Sequence, residues 1–247
     1  MKQLARKDKL MSDDTILRNR ATQPSEAFVD EGLRSHMLRV YNYMGGGLIL
    51  TGLVALLVAS TPAIYQPIFG TPLKWVVMLA PLAFILVLSW KMESLSAATT
   101  QMLFWAFCAL MGLSLASVFL VFTGTSIART FFIAAAMFGA TSLYGYTTRS
   151  DLSSMGSFLF MGLIGVIIAM LANLFIQSSA LQFAISVIGV MVFTGLTAYD
   201  TQNIKQQYAE GHGTEMQSKL AVFGALSLYL NLINIFQLLL GLTGERE

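Results

Sequence analysis

Few groups in this chain could do chemistry, and one of them is Asp200. It closes the uncharged run 152–199 in the stretch Phe193-Thr-Gly-Leu-Thr-Ala-Tyr199-Asp200. An ionisable residue inside a membrane span costs at least about 2.5 kcal/mol to insert and is a functional candidate by default; the plainer alternative here is a helix-end carboxylate facing water. Thr194, Thr197 and Thr201 fall on one helical face close to it, a hydroxyl surface able to shelter a hydrated carboxylate. Further on, Ser227, Asn231, Asn234 and Gln237 draw one polar stripe along an otherwise apolar helix. Such a stripe faces protein or water rather than lipid. Hydrogen-bonding glue between helices and the wall of a pathway account for it equally well. A carboxylate opposite amide and hydroxyl oxygens is a hard, oxygen-donor environment suited to Ca²⁺, Mg²⁺ or protons rather than to transition metals. Asp200 is thus a candidate ligand for Ca²⁺, Mg²⁺ or a proton, with Tyr199 beside it and Ser227, Asn231 and Asn234 as candidates for the wall of a pathway.

Other chemistry lacks its residues. A membrane serine protease needs an intramembrane His as base, and His36 and His212 both fall in segments expected to be cytoplasmic and solvated. The His-Glu-x-x-His zinc motif is absent, an aspartyl protease would need a second Asp beside Asp200, and the last span holds no lysine for a retinal Schiff base. Cys108 is a lone cysteine, which leaves no disulfide framework and too few ligands for structural zinc. The chain reads as a non-enzyme with no tightly bound cofactor, its candidate cation being one that passes through.

The elements that position these residues are membrane helices. Of 247 residues, 55% are hydrophobic and only 11% charged, against roughly 25% charged in a soluble domain. Residues 1–39 carry half of all charges, so the start differs in kind from the rest. A net charge of +2 is too mild for a nucleic-acid partner. Spans need about 20 apolar residues. Uncharged stretches near 44–60, 74–91, 102–122, 130–147 and 220–242, with the run 152–199 folded as a hairpin at Gln177-Ser178-Ser179, predict seven. A Pro-rich connection, 61–72, joins the first two. The expected organisation is a cytoplasmic tail over 1–40, a membrane domain over 41–243 and a short tail over 244–247. Val29, Leu33, Met37 and Val40 recur at helical spacing, which suits either an interfacial helix or a plain juxtamembrane linker. With the N-terminus inside, twelve Lys/Arg fall on the cytoplasmic side and three (Lys74, Arg129, Arg246) outside, which favours N-in, C-out. No apolar signal region lies within the first 30 residues, so the first span is expected to act as an uncleaved anchor.

Three stretches also resemble the bacterial branch of the Bax-inhibitor (transmembrane Bax-inhibitor-motif) family: Phe138-Gly-Ala-Thr-Ser-Leu-Tyr144-Gly-Tyr146, Gly195-Leu-Thr-Ala-Tyr199-Asp200-Thr-Gln-Asn-Ile-Lys205, and Ala225-Leu-Ser-Leu-Tyr229-Leu-Asn231-Leu-Ile-Asn234-Ile-Phe236. The resemblance implies a seven-helix bundle with the last helix near the centre, in the bacterial inner membrane. It further implies a pH-sensitive Ca²⁺ leak and, for some members, association with a membrane-bound ATP-dependent protease. In the family the leak is attributed to two aspartates sharing a proton. Asp200 matches the first, whereas Asn231 stands where the second is expected, and an amide cannot share a proton. The family's basic latch on the second helix falls nearest Lys91. Two functions therefore stand side by side: a cation leak with an altered switch, and a non-conducting interaction protein whose N-terminal tail docks on a membrane protease.

Overall fold

The computed structural model describes residues 26–91, 94–209 and 213–246, and among them the chain forms eight helices and no strand. These are α1 (Glu26–Ser60), α2 (Pro62–Phe69), α3 (Leu73–Lys91), α4 (Ala97–Phe119), α5 (Gly124–Thr147), α6 (Ser153–Ile176), α7 (Ser179–Ala209) and α8 (Thr214–Thr243). Six of them, all but α2 and α3, are each long and apolar enough to cross a bilayer. The α2–α3 pair passes the same test only jointly, and is bent by 88°. Large apolar side chains such as Phe158, Ile168, Leu174 and Phe175 on α6 lie exposed, a surface that only a lipid solvent would tolerate.

Local sequence sets the helix ends. Ser96 caps α4 by accepting from the Thr99 N–H at 3.2 Å, and Thr123 caps α5 by accepting from Ser126 N–H at 3.3 Å. The turn at Gln177 is built by Asn173, whose carbonyl accepts from Gln177 N–H (2.9 Å) and whose side-chain oxygen accepts from Ser178 N–H (3.0 Å). Ser178 Oγ then caps α7 at Leu181 N–H. The stretch 61–72, expected as a plain connection, contains α2 instead. Pro62 sits in its first turn, where the missing N–H costs nothing, and the Thr61 carbonyl accepts from both Ile64 and Tyr65.

Helix α1 begins ahead of the residues read as the first span and runs through them unbroken for 35 residues. At 1.5 Å per residue that is about 52 Å, against a hydrocarbon core of about 30 Å. Its first turns therefore project beyond the core, and they carry His36 against the ring of Tyr208 with centroids 5.3 Å apart. His36 is only 5% exposed, which corrects the expectation that it is solvated: an unbroken α1 and a long α7 enclose it between them. His212 lies outside the described residues.

The last helix carries the most extensive burial. Helix α8 packs on α1, α4, α5 and α7, and residues from Lys219 to Leu240 are mostly hidden. Two hydroxyl networks cross this interior. Thr51 Oγ1 donates to the Cys108 carbonyl (2.8 Å), which leaves Tyr229 as the donor in the 2.7 Å contact between Tyr229 Oη and Thr51 Oγ1. Similarly, Thr201 Oγ1 donates to the Thr197 carbonyl (2.7 Å), so Ser142 must donate to Thr201 (3.0 Å) and Tyr41 to Ser142 (2.6 Å). Each network ties three helices, and its hydrogens run in a fixed direction.

Thr51→Val should leave the Tyr229 hydroxyl buried without an acceptor and destabilise the protein by about 1–3 kcal/mol. Adding Tyr229→Phe should recover most of that loss. Unfolding of the two single variants and the double variant in detergent gives the coupling, and strict additivity would contradict the Thr51–Tyr229 contact.

Candidate functional site, a cavity in the bundle behind Asp200

Helices α6 and α7 approach closely because glycine stands at the contact. A Cβ at Gly156 would fall 2.5 Å from Cε2 of Tyr199, and one at Gly195 would fall 2.7 Å from Cδ2 of Leu159. The Tyr199 ring thus lies over Gly156. On the other flank, Gly145 of α5 packs directly on the backbone of Ala198. These contacts set the height and rotation of α7 and aim Asp200 toward α8.

There Asn231 meets it. Asn231 Nδ2 donates to Asp200 Oδ2 at 2.7 Å, a charge-assisted hydrogen bond between α7 and α8. The two residues line a cavity of about 780 Å³, together with Tyr199 from α7 and Ser227, Asn234 and Gln237 from α8. The polar stripe of α8 therefore faces one space over its full length. Apolar residues of α3, α4 and α6, including Leu82, Met111 and Phe160, complete the wall. Asn234 Nδ2 donates to the Leu230 carbonyl one turn earlier (2.8 Å), so its amide is anchored to its own helix. All five pathway candidates thus come together. Lys91 is the last residue of α3, and its side chain lies outside the described residues.

Asp200 is not the helix-end carboxylate of the plainer alternative, since α7 continues for more than two turns to Ala209. One expectation needs correction: the threonine face does not shelter it. Thr197 and Thr201 donate to carbonyls of their own helix, Thr201 also meets Ser142 on α5, and neither belongs to the cavity wall. The α7 residues that do line the cavity are Phe193, Leu196, Tyr199 and Asp200, a different stripe of the same helix.

The continuation of α7 explains itself through residues that spacing did not single out. Gln202 accepts from Leu152 N–H and donates to the Ser150 carbonyl, both at 2.8 Å, and Lys205 Nζ donates to the Tyr146 carbonyl at 3.0 Å. Lys205 also stands 5.2 Å over the Tyr146 ring. Together they clamp the short α5–α6 connection beneath the cavity, with the Lys205 charge at the carbonyl end of α5 where a cation is favoured. The run Thr201-Gln202-Asn203-Ile204-Lys205, polar after an apolar span, was the available signal. In the same connection the Ser153 hydroxyl and backbone N–H hold the exposed Asp151 carboxyl below its ordinary value.

Comparison with known proteins identifies the family. A family profile described as "Inhibitor of apoptosis-promoting Bax1" matches residues 33–247. An uncharacterized protein of Rickettsia prowazekii is 50% identical over 88% of this chain and 92% of its own. One from Caulobacter vibrioides is 46% identical over 87% and 90%, and the inner membrane protein YbhL of Escherichia coli is 43% identical over 97% and 100%. With the profile spanning residues 33–247 and relatives matching its length nearly end to end, the chain belongs to the Bax inhibitor-1 family.

Proposed function

We propose that this is an inner-membrane protein that lets cations leak through the bundle at the Asp200 cavity, with the family's paired-aspartate switch altered by Asn231. The observation that carries it is the 2.7 Å Asn231–Asp200 bond inside a cavity of about 780 Å³ whose polar wall is the stripe of α8. The carboxylate supplies the negative charge a cation needs, and the amide and hydroxyl oxygens nearby supply neutral ligands of the kind Ca²⁺ accepts. Asp200 is the ion-binding group, while Asn231, Asn234, Tyr199 and Ser227 line the path, and Lys91 is offered as the latch. The protein has no catalytic role and no resident cofactor, and Ca²⁺ is cargo.

In this reading the α2–α3 pair forms one broken span, giving seven crossings around a central α8, with the N-terminus cytoplasmic and the C-terminus outside. Twelve Lys/Arg inside against three outside support that orientation. Thiol labelling of single-cysteine variants should reach position 205 only from the cytoplasmic side and position 66 only from outside. Both reacting from one side would overturn the topology.

Because Asn231 cannot release a proton, the native protein should titrate as a single carboxylate, with a shallower pH dependence than a coupled pair. Asn231→Asp would bring two carboxylates within hydrogen-bond distance, and such a pair titrates as a coupled unit. Ca²⁺ entry into proteoliposomes between about pH 5 and 8 should therefore become steeply pH-dependent in Asn231→Asp, with tighter Ca²⁺ binding, and should vanish in Asp200→Asn. Flux in Asp200→Asn equal to native would remove the proposed site.

A second reading is favoured by α1. Its projecting turns expose Glu31, Arg34, Leu38 and Arg39 around a surface cavity of about 630 Å³, a shape and charge pattern suited to a docking protein such as a membrane-bound ATP-dependent protease. Here the chain would modulate its partner without conducting. Deleting residues 2–23 should leave insertion and flux unchanged and weaken co-purification of such a protease. Unchanged co-purification would count against a docking role for the tail.

A further inference from the structure

The cavity has a side as well as a depth. Leu82 on α3 and Phe160 and Leu171 on α6 line it, yet they are 60%, 58% and 55% exposed, so the cavity is open where they stand. A side chain that borders a cavity and also faces lipid marks the rim of an opening, and these three stand on both sides of one. Helix α3 packs mainly on α2 and α4, and α6 packs mainly on α7, which leaves the seam between α3 and α6 without a helix across it. The back wall is polar and the rim apolar, so whatever enters from the lipid meets hydrocarbon first and a carboxylate last.

We propose that this cavity binds a single-chain cationic amphiphile that enters from the membrane between α3 and α6 and places an ammonium head at Asp200. Charge complementarity decides the head group. Among the described residues of the wall, Asp200 and Tyr199 are the ionisable ones and there is no Lys, Arg or His, so an anionic or zwitterionic phosphate head would meet a carboxylate with no cation to receive the phosphate. Asn231 satisfies one oxygen, Oδ2, as a neutral donor, and therefore leaves the negative charge uncompensated. Aromatic faces add to the preference. Phe107, Phe160, Phe193 and Tyr199 share the same wall, and ammonium groups are held by ring faces combined with an anion. A volume of about 780 Å³ lies in the usual range of about 300–1,000 Å³ for small-molecule sites. The chain of the ligand would lie along Leu82, Phe160 and Leu171 toward the lipid.

The site is the one proposed for the cation pathway, and the inference rests on Asp200 lining it but not on conduction. Binding is therefore read without an ion gradient. Full-length protein in nanodiscs of zwitterionic lipid is exposed to a photoactivatable alkyltrimethylammonium, and labelled peptides are mapped by mass spectrometry. Labelling should fall on α3, α6, α7 or α8 and be competed by dodecyltrimethylammonium, but not by dodecyl sulfate or the uncharged dodecyl maltoside. Asp200→Asn should reduce labelling by about tenfold or more, Asp200→Glu should retain most of it, and Ser157→Trp, at an exposed position on the wall, should block it sterically. Equal competition by dodecyl maltoside would mean that the space takes any hydrocarbon and would overturn the proposal. So would native-level labelling of Asp200→Asn. Should that variant fail to fold, the head-group competition and Ser157→Trp decide the matter alone. Loss of Ca²⁺ flux with intact labelling, or the reverse, separates this inference from the leak.

Discussion

A carboxylate placed between helices in a bilayer must be given a donor, since neither lipid nor a neighbouring apolar side chain can solvate it. Asn231 provides that donor, and much of the bundle can be understood as what is needed to hold it 2.7 Å from Asp200. The two residues sit on α7 and α8, so the bond is only as stable as the register between those helices. Register is set from outside the pair: Gly156 admits the Tyr199 ring, Gly195 admits Leu159, and Gly145 rests on the backbone of Ala198. Beyond Asp200, Gln202 and Lys205 pin α7 to the α5–α6 connection. A side chain at Gly145, against the Ala198 backbone, would have to move α7 and the carboxylate with it, whereas one at Gly156 or Gly195 would first displace the Tyr199 ring or the Leu159 side chain.

Polar groups elsewhere in the bundle follow a different rule from those in the cavity. Thr51 with Tyr229, and Tyr41 with Ser142 and Thr201, close on themselves or on backbone carbonyls, so their hydrogens are spoken for and they act as ties between helices. The stripe Ser227, Asn231, Asn234 and Gln237 instead borders open volume. Ties between helices and cavity lining, which spacing alone left equal, are thus separated within single helices. On α7, the face bearing Thr197 and Thr201 is glue, and the stripe through Tyr199 and Asp200 borders the cavity.

How much of this was readable follows from range. The hairpin at Gln177-Ser178-Ser179 was legible because the turn is made by residues within a few positions of one another, Asn173 through Leu181. The cavity residues were legible because an isolated carboxylate and a one-faced amide stripe are anomalous in any apolar helix. What remained hidden depended on distant partners. The apolar wall from Leu82, Met111 and Phe160 carries no signal in a chain this hydrophobic. His36 looked solvated because the burial around it comes from Tyr208, far along the chain, and from an α1 longer than any span requires. Helix α2 was missed for the opposite reason, since prolines that usually mark a connection here occupy its first turn (Pro62) and its interior (Pro67).

An amide rather than a carboxylate at position 231 bears on more than proton sharing. Two carboxylates in one site would hold up to two negative charges and would match a divalent ion; one carboxylate bonded to an amide holds one. A Ca²⁺ ion at Asp200 therefore keeps a net positive charge in surroundings of low dielectric, where an uncompensated charge is costly. A monovalent cation at the same place is neutralised. The same arithmetic favours an ammonium head over a divalent ion as a resident of the cavity, and a passing Ca²⁺ over a stably bound one. Weak retention is compatible with a leak, which requires that an ion leave as readily as it arrives. Asn231 thus bears on both readings of the site through a single property: it donates a hydrogen bond to Asp200 while leaving the charge of Asp200 for something else to balance.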